Sequence, residues 1–109
     1  MKNTISSYEG YYASVVYAYL ASLGVDLTCE DTTSKGRIDL TIRMPERVYI
    51  IEFKVDGDGK ALEQIKARGY QQKYLGSGKE ILLLGIDFDS EAKNLSRFAW
   101  ERVGEALIR

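Results

Sequence analysis

Asp39, Glu52 and Lys54 are charged residues set inside otherwise apolar, strand-like sequence. In the run 48–55, Tyr49, Ile51, Phe53 and Val55 fall on one face, and Val48, Ile50, Glu52 and Lys54 on the other. The split follows because successive strand side chains point to opposite sides of a sheet. Burying an unpaired charge is expensive, so Glu52 and Lys54 require partners, water or a ligand. Asp39 interrupts the preceding alternation of Ile38, Leu40, Ile42 and Met44 near its start. A tight turn at Pro45-Glu46-Arg47 makes the two runs antiparallel neighbours. That pairing lays the start of the first run beside the end of the second and gathers Asp39, Glu52 and Lys54 at one end of a sheet. Two close carboxylates suit a hard cation such as Mg²⁺, which takes one or two carboxylates and completes its shell with water and phosphate oxygen. Such an ion makes water nucleophilic, and a neighbouring lysine can orient that water or stabilise developing charge. The same three residues also fit a structural cluster that caps the sheet end. Spacing alone leaves both readings open.

Composition narrows the chemistry. The chain has 109 residues, 45% hydrophobic and 28% charged, which fits one globular domain over residues 1–109. It has no histidine and one cysteine, Cys29. Histidine-based triads, His-ligated zinc, a disulfide within the chain and a Cys₄ site are therefore excluded. Chemistry must run on carboxylates, lysine, tyrosine, hydroxyls or a borrowed metal. No apolar run approaches the roughly 20 residues of a membrane span, and the start lacks signal-peptide character. The expected compartment is the cytoplasm. Net charge is −1, but residues 59–79 carry Lys60, Lys66, Arg68, Lys73 and Lys79 against Glu63 alone. A solvated helix face accounts for that segment as well as a partner does.

The elements that must position these residues follow from periodicity. Tyr8, Tyr12, Val15, Val16, Tyr19, Leu20 and Leu23 recur at helical spacing and predict a helix over 7–23, with Ser6 as N-cap and Gly24 as stop. Strands are expected over 26–31, 38–44 and 48–55, with turns at 34–36 and 45–47. Asp56-Gly57-Asp58-Gly59 ends the third. Residues 60–74 are expected to be helical, with Gly69 marking a kink or a close approach. Ile81 to Ile86 reads as a strand covered on both faces. Residues 95–102 read as a last strand and 103–109 as a tail or short helix. The order is α-β-β-β-α-β-(β), an α/β (α+β) fold. Its mixed sheet of four to five strands is flanked by helices, and the second helix permits a crossover to a parallel strand.

Asp39, twelve residues, then Glu52-Phe53-Lys54 resembles the signature of the PD-(D/E)XK nuclease superfamily. Its restriction-endonuclease-like αβββαβ core has the same element order. Glu9-Gly10-Tyr11-Tyr12, Glu30-Asp31-Thr32-Thr33, Gly36-Arg37-Ile38-Asp39-Leu40, Ala61-Leu62-Glu63-Gln64-Ile65 and the closing Tyr74 resemble one subgroup. That subgroup usually forms the C-terminal domain of bacterial proteins with an AAA-ATPase-like N-terminal part. The resemblance implies Mg²⁺-dependent DNA hydrolysis, with Mn²⁺ able to substitute. It implies that Asp39 and Glu52 bind metal, that the Phe53 carbonyl is a further ligand, and that Lys54 is the catalytic lysine. Glu9 matches an acidic residue of the first helix near the metal, although Ser6 and Glu9 also form a capping box. Gln64 matches a polar residue that organises the site or touches substrate. Position 38 is Ile where the motif name has Pro, and Arg68 stands four after Gln64 where the subgroup pattern has Tyr. Arg37, Lys60, Lys66, Arg68 and Lys73 are the candidate phosphate contacts. The alternative is a catalytically silent nuclease-fold module that binds nucleic acid or protein. A 109-residue chain leaves no room for the ATPase-like part, so a fragment of a longer protein is a third reading. The tyrosine-rich first helix could then pack on that part or on a second copy.

Overall fold

The computed structural model describes residues 14–57, 59–92 and 94–103. A helix, α1, occupies 14–22; its expected start, with Ser6 and Glu9, lies outside the described residues, as does the tail after residue 103. Five strands form one mixed sheet in the order β1 (Asp26–Thr33), β2 (Gly36–Arg43), β3 (Arg47–Val55), β4 (Glu80–Asp89) and β5 (Asn94–Arg102). The pairs β1–β2, β2–β3 and β4–β5 are antiparallel, and β3–β4 is parallel. The parallel pair is joined by helix α2 (Ala61–Arg68) and a 3-10 turn, Tyr70–Tyr74.

Each face of the sheet has its own apolar cluster. Leu40, Ile51 and Phe53 are buried on one face, where Val16 and Leu20 of α1 pack with Tyr49, Leu84 and Ile86. Ile38, Val48, Ile50, Ile81 and Leu83 are buried on the other, under Leu62 and Ile65 of α2 and Tyr70. The two faces of β3 are therefore both interior, as its composition requires. Fully burying one such aliphatic side chain contributes about 1.5–3 kcal/mol.

Two expectations are corrected. Ile38, Leu40 and Ile42 do not share a face: Ile38 packs under α2, whereas Leu40 and Ile42 pack with α1. The alternation breaks at Asp39, whose carboxylate accepts a backbone hydrogen bond from β3. The segment 60–74 is not one helix. Gly69 takes a left-handed φ of 69° and its N–H bonds the carbonyls of Ile65 and Lys66, so it ends α2. This is the conformation glycine adopts without a Cβ penalty. β1 runs on to Thr33 and β2 starts at Gly36, both beyond the expected bounds on the turn side, whereas β2 stops at Arg43, before Met44.

One close contact sets the height of α2 above the sheet. A Cβ on Gly85 would stand 2.8 Å from the Leu62 Cα and 2.9 Å from the Ala61 carbonyl carbon. Both are backbone atoms, so no side-chain rotation relieves the clash. Gly85→Ala is expected to lift α2 and lower unfolding free energy by about 1–3 kcal/mol, read from urea melts. An unchanged midpoint would show that α2 does not depend on this contact.

Candidate active site

The site begins where β2 stops pairing with β3. The regular register runs from Arg43↔Val48 to Leu40↔Ile51. At the next position the Asp39 side chain takes over, and its Oδ2 accepts the Phe53 N–H at 2.9 Å. A carboxylate thus replaces a strand–strand bond and is pinned at the residue between Glu52 and Lys54. The hairpin brings Asp39 to the sheet end expected from the sequence.

Glu52 projects from β3 onto the α2 face and is only 5% exposed. Its Oε2 accepts a hydrogen bond from Gln64 Nε2 at 2.9 Å, while its Oε1 is buried without a hydrogen-bond partner. Its register neighbour on β4 is Gly85, which has no side chain to intrude. The close approach of α2 at that glycine is what allows Gln64 to reach. Burial, and then the negative charge of Asp39, push the Glu52 carboxyl up to about 8. The Lys54 ammonium, the Asp39 backbone amide and the Arg68 guanidinium pull it the other way.

Lys54 is half-buried on the same face. Its stem passes close to the turn after β3, for a Cβ on Gly57 would lie 3.2 Å from the Lys54 Cβ. That turn is fixed by Asp56, which has a left-handed φ of 56°, donates its N–H to Phe88 and accepts the Ser90 N–H. Asp56-Gly57 therefore ends β3 and shapes the surface along which Lys54 runs.

Asp87 was not singled out from the sequence. It is 2% exposed on β4, is the register neighbour of Lys54, and has an Oδ1 with no hydrogen-bond partner. The signal was present, since Asp87 is a charge at the end of the apolar run Ile81–Ile86, as Glu52 is within its own strand. Asp31 was missed as an organising residue too. It is 4% exposed, and its carboxylate accepts hydrogen bonds from Thr41 at 2.9 Å, from Lys73 and from Tyr74. These bonds draw its carboxyl below the ordinary value against the opposing effect of burial. Tyr74 thereby ties the 3-10 turn to β1.

The candidate phosphate contacts are scattered. Arg37 pairs with Glu30 at 3.3 Å, Lys66 with Glu101 at 2.9 Å, and Lys73 with the buried Asp31. Arg68 donates to the Tyr70 hydroxyl at 3.2 Å, and exposed Lys60 is the N-cap residue of α2. Glu9 lies outside the described residues.

The donor set suits a hard cation. Asp39 and Glu52 offer carboxylate oxygens, and the buried, unpartnered Oε1 of Glu52 is an acceptor without a donor. No group of three His, Cys, Asp or Glu converges among the described residues. Two carboxylates still match the usual Mg²⁺ complement, which leaves positions for water and phosphate.

Glu52 makes the cation-free protein pH-sensitive in a defined direction. Its carboxyl rises from 4.5 to about 8 on folding, so the folded state binds the proton more tightly than the unfolded state. The stabilisation from that proton is complete below pH 4.5 and is lost as pH rises towards 8. Glu52→Gln is expected to remove this slope and to stabilise the metal-free protein at pH 8 by on the order of a few kcal/mol. Urea melts in chelator from pH 5 to pH 8 would check it; parallel wild-type and variant curves would exclude a raised Glu52.

A family model described as the PD-(D/E)XK nuclease superfamily matches residues 7–98. The "Uncharacterized protein in vnfD 5'region" of Azotobacter chroococcum mcd 1 is 46% identical over 105 residues, covering 94% of this chain. The chain spans 20% of the length of that relative. No solved structure gives a significant match. The match embraces Asp39, Glu52 and Lys54 with the sheet that gathers them, and the chain belongs to the PD-(D/E)XK nuclease superfamily.

Proposed function

We propose that this chain hydrolyses DNA phosphodiester bonds with Mg²⁺ held by Asp39 and Glu52, and with Lys54 as the catalytic lysine. The observation that carries the reading is the buried Glu52 Oε1, unpartnered on a carboxylate already crowded by Asp39. A cation relieves both penalties, because it supplies the missing partner and offsets the repulsion. The Phe53 carbonyl and Glu9 are the further ligands proposed from the family resemblance, and Mn²⁺ is expected to substitute.

When bound, the ion lowers the pKa of water and polarises the phosphoryl oxygens. Lys54 orients the attacking water and stabilises charge on the phosphate as it develops. Hydrolysis forms one bond from the water oxygen to phosphorus and breaks one phosphorus–ester oxygen bond. The attacking water gives up one proton to solvent, and the departing alkoxide takes one up from solvent, so the net reaction adds one water across the ester bond. Asp39 is already oriented by the Phe53 N–H, and Glu52 by Gln64, so neither carboxylate needs to reorganise. Gln64 is thus a positioning residue at Glu52. Arg37, Lys60, Lys66 and Arg68 are the proposed backbone contacts, which fix position without reading sequence, whereas Lys73 is held by the buried Asp31.

A catalytically silent module is the second reading. It is favoured by the net charge of −1 and by the ion pairs that engage Arg37, Lys66 and Lys73. In either case residues 1–109 act as one domain in the cytoplasm. No helix among the described residues is long and apolar enough to cross a membrane. An ATPase-like domain, or a second copy of this chain, is the proposed neighbour. Phe98 and Trp100, each about half exposed on β5, offer it an apolar surface. A strictly monomeric species in sedimentation would remove the second-copy version.

Purified chain is expected to cleave DNA with Mg²⁺ or Mn²⁺ and to stop in chelator. Asp39→Ala and Lys54→Ala should each lower the rate by roughly 100-fold or more. Mn²⁺ should raise the melting temperature of wild type and not of Glu52→Ala. Cleavage surviving both substitutions would overturn the assignment; Mn²⁺ stabilisation without any cleavage would favour the silent module.

A further inference from the structure

We propose that Asp87 is a positioning residue for Lys54, a buried carboxylate whose charge holds the ammonium over the α2 face at the sheet end. This rests on the nuclease reading for its consequence, but not for its geometry. Lys54 and Asp87 are register neighbours across the parallel β3–β4 pair. Parallel neighbours in register project to the same face, and here that face is the one covered by α2, beside Glu52.

Three observations converge on Asp87. It is 2% exposed, so water does not satisfy it. One of its interactions is the backbone amide of Ala61, the first residue of α2. Its Oδ1 makes no hydrogen bond at all. A carboxylate held at one side and open at the other, in a dry site, is costly unless a cation answers it. The charged side chains that face it are Lys54 from β3, Arg97 from β5 and Glu63 from α2. Arg97 is already engaged: it donates to the Gly59 carbonyl at 2.8 Å and lies 3.9 Å from Glu63. Arg97, the register neighbour on β5, is the stronger of the two cations at Asp87, and Lys54 adds to it from β3, across the strand pair, through its field rather than through a closed ion pair.

The consequence for Lys54 is directional. Glu52, two residues back on β3, attracts its ammonium toward the end where Asp39 is pinned, and Asp87 attracts it from the β4 side. Gly57 confines its stem from beyond the strand end. Without Asp87 the ammonium would collapse onto the Asp39–Glu52 pair and occupy the place where a divalent cation and phosphate are expected. Asp87 therefore keeps the lysine beside the carboxylates without letting it neutralise them.

A purely structural role for Asp87 would be to receive the Ala61 amide, and asparagine does that equally well. Asp87→Asn keeps the size and the acceptor and removes only the charge, so it separates the two roles. The test is a double-mutant cycle in urea with Asp87→Asn, Lys54→Met and the double variant, run in chelator so that it is independent of cleavage. Charge coupling predicts non-additivity of roughly two-fold or more in the unfolding equilibrium constant. In parallel, Asp87→Asn is expected to lower kcat on DNA by roughly ten-fold with KM unchanged. Additive stabilities, or an Asp87→Asn enzyme with wild-type kcat, would overturn the proposal. A chain that shows the coupling but cleaves nothing would sink the nuclease reading and leave the Lys54–Asp87 linkage standing.

Discussion

Keeping the Glu52 carboxylate inside the sheet, next to Asp39, is the constraint around which the other features are arranged. A glutamate on an exposed strand would need nothing from its neighbours. Here burial alone disfavours its charged form, and Asp39 adds to that. The fold answers with polar groups aimed at both carboxylates: the Phe53 amide for Asp39, and the Gln64 side chain and the Asp39 backbone amide for Glu52. The break in β2 alternation, the missing side chain at Gly85 and the position of α2 all serve that answer. A sheet end made only for stability would be simpler with leucine at position 52, because replacing buried charge with packed apolar side chains is commonly neutral or stabilising.

Site and core are therefore linked through α2. The residues that bury α2, Ala61, Leu62 and Ile65, are spaced so that Gln64 falls beside Glu52 while Lys66 faces outward to Glu101. The helix is only eight residues long, too short to hold itself by propensity. Its position is set by packing and by the left-handed Gly69 that ends it. A change that loosens its packing acts on the carboxylate at the same time.

Much of this was legible in the sequence, for identifiable reasons. The central elements were readable because β2, β3 and β4 carry apolar or alternating runs, and the hairpin at 45–47 fixed which strand ends meet. Asp39, Glu52 and Lys54 were readable because charges are conspicuous in such runs. The Asp39 face switch was not, since periodicity assumes an unbroken strand and a side chain replacing a ladder bond leaves no pattern. The end of α2 at Gly69 was obscured because Tyr70 and Tyr74 continue a helix-like spacing across the glycine, and it takes the φ of Gly69 to show that they belong to a 3-10 turn. Asp31 was hidden by a different cause: its partners Thr41, Lys73 and Tyr74 are ten or more residues away in sequence. Asp87 could have been found, because it obeys the rule that identified Glu52.

The ion pairs around the sheet do not weigh equally against phosphate binding. Arg37–Glu30 and Lys66–Glu101 are pairs between exposed side chains, and such pairs contribute little because water competes for both partners. A phosphate that draws Arg37 or Lys66 away leaves behind a carboxylate that is already solvated. Lys73 is different. Its partner Asp31 is 4% exposed, and pulling the ammonium away would strip a buried carboxylate of its cation, leaving it only Thr41 and Tyr74. The loss falls on the buried partner, because an uncompensated carboxylate is costly where water cannot reach it. Lys73 thus belongs to the framework, whereas Arg37 and Lys66 can exchange partners. A basic segment that looked uniform in charge therefore divides by burial of its acidic partners.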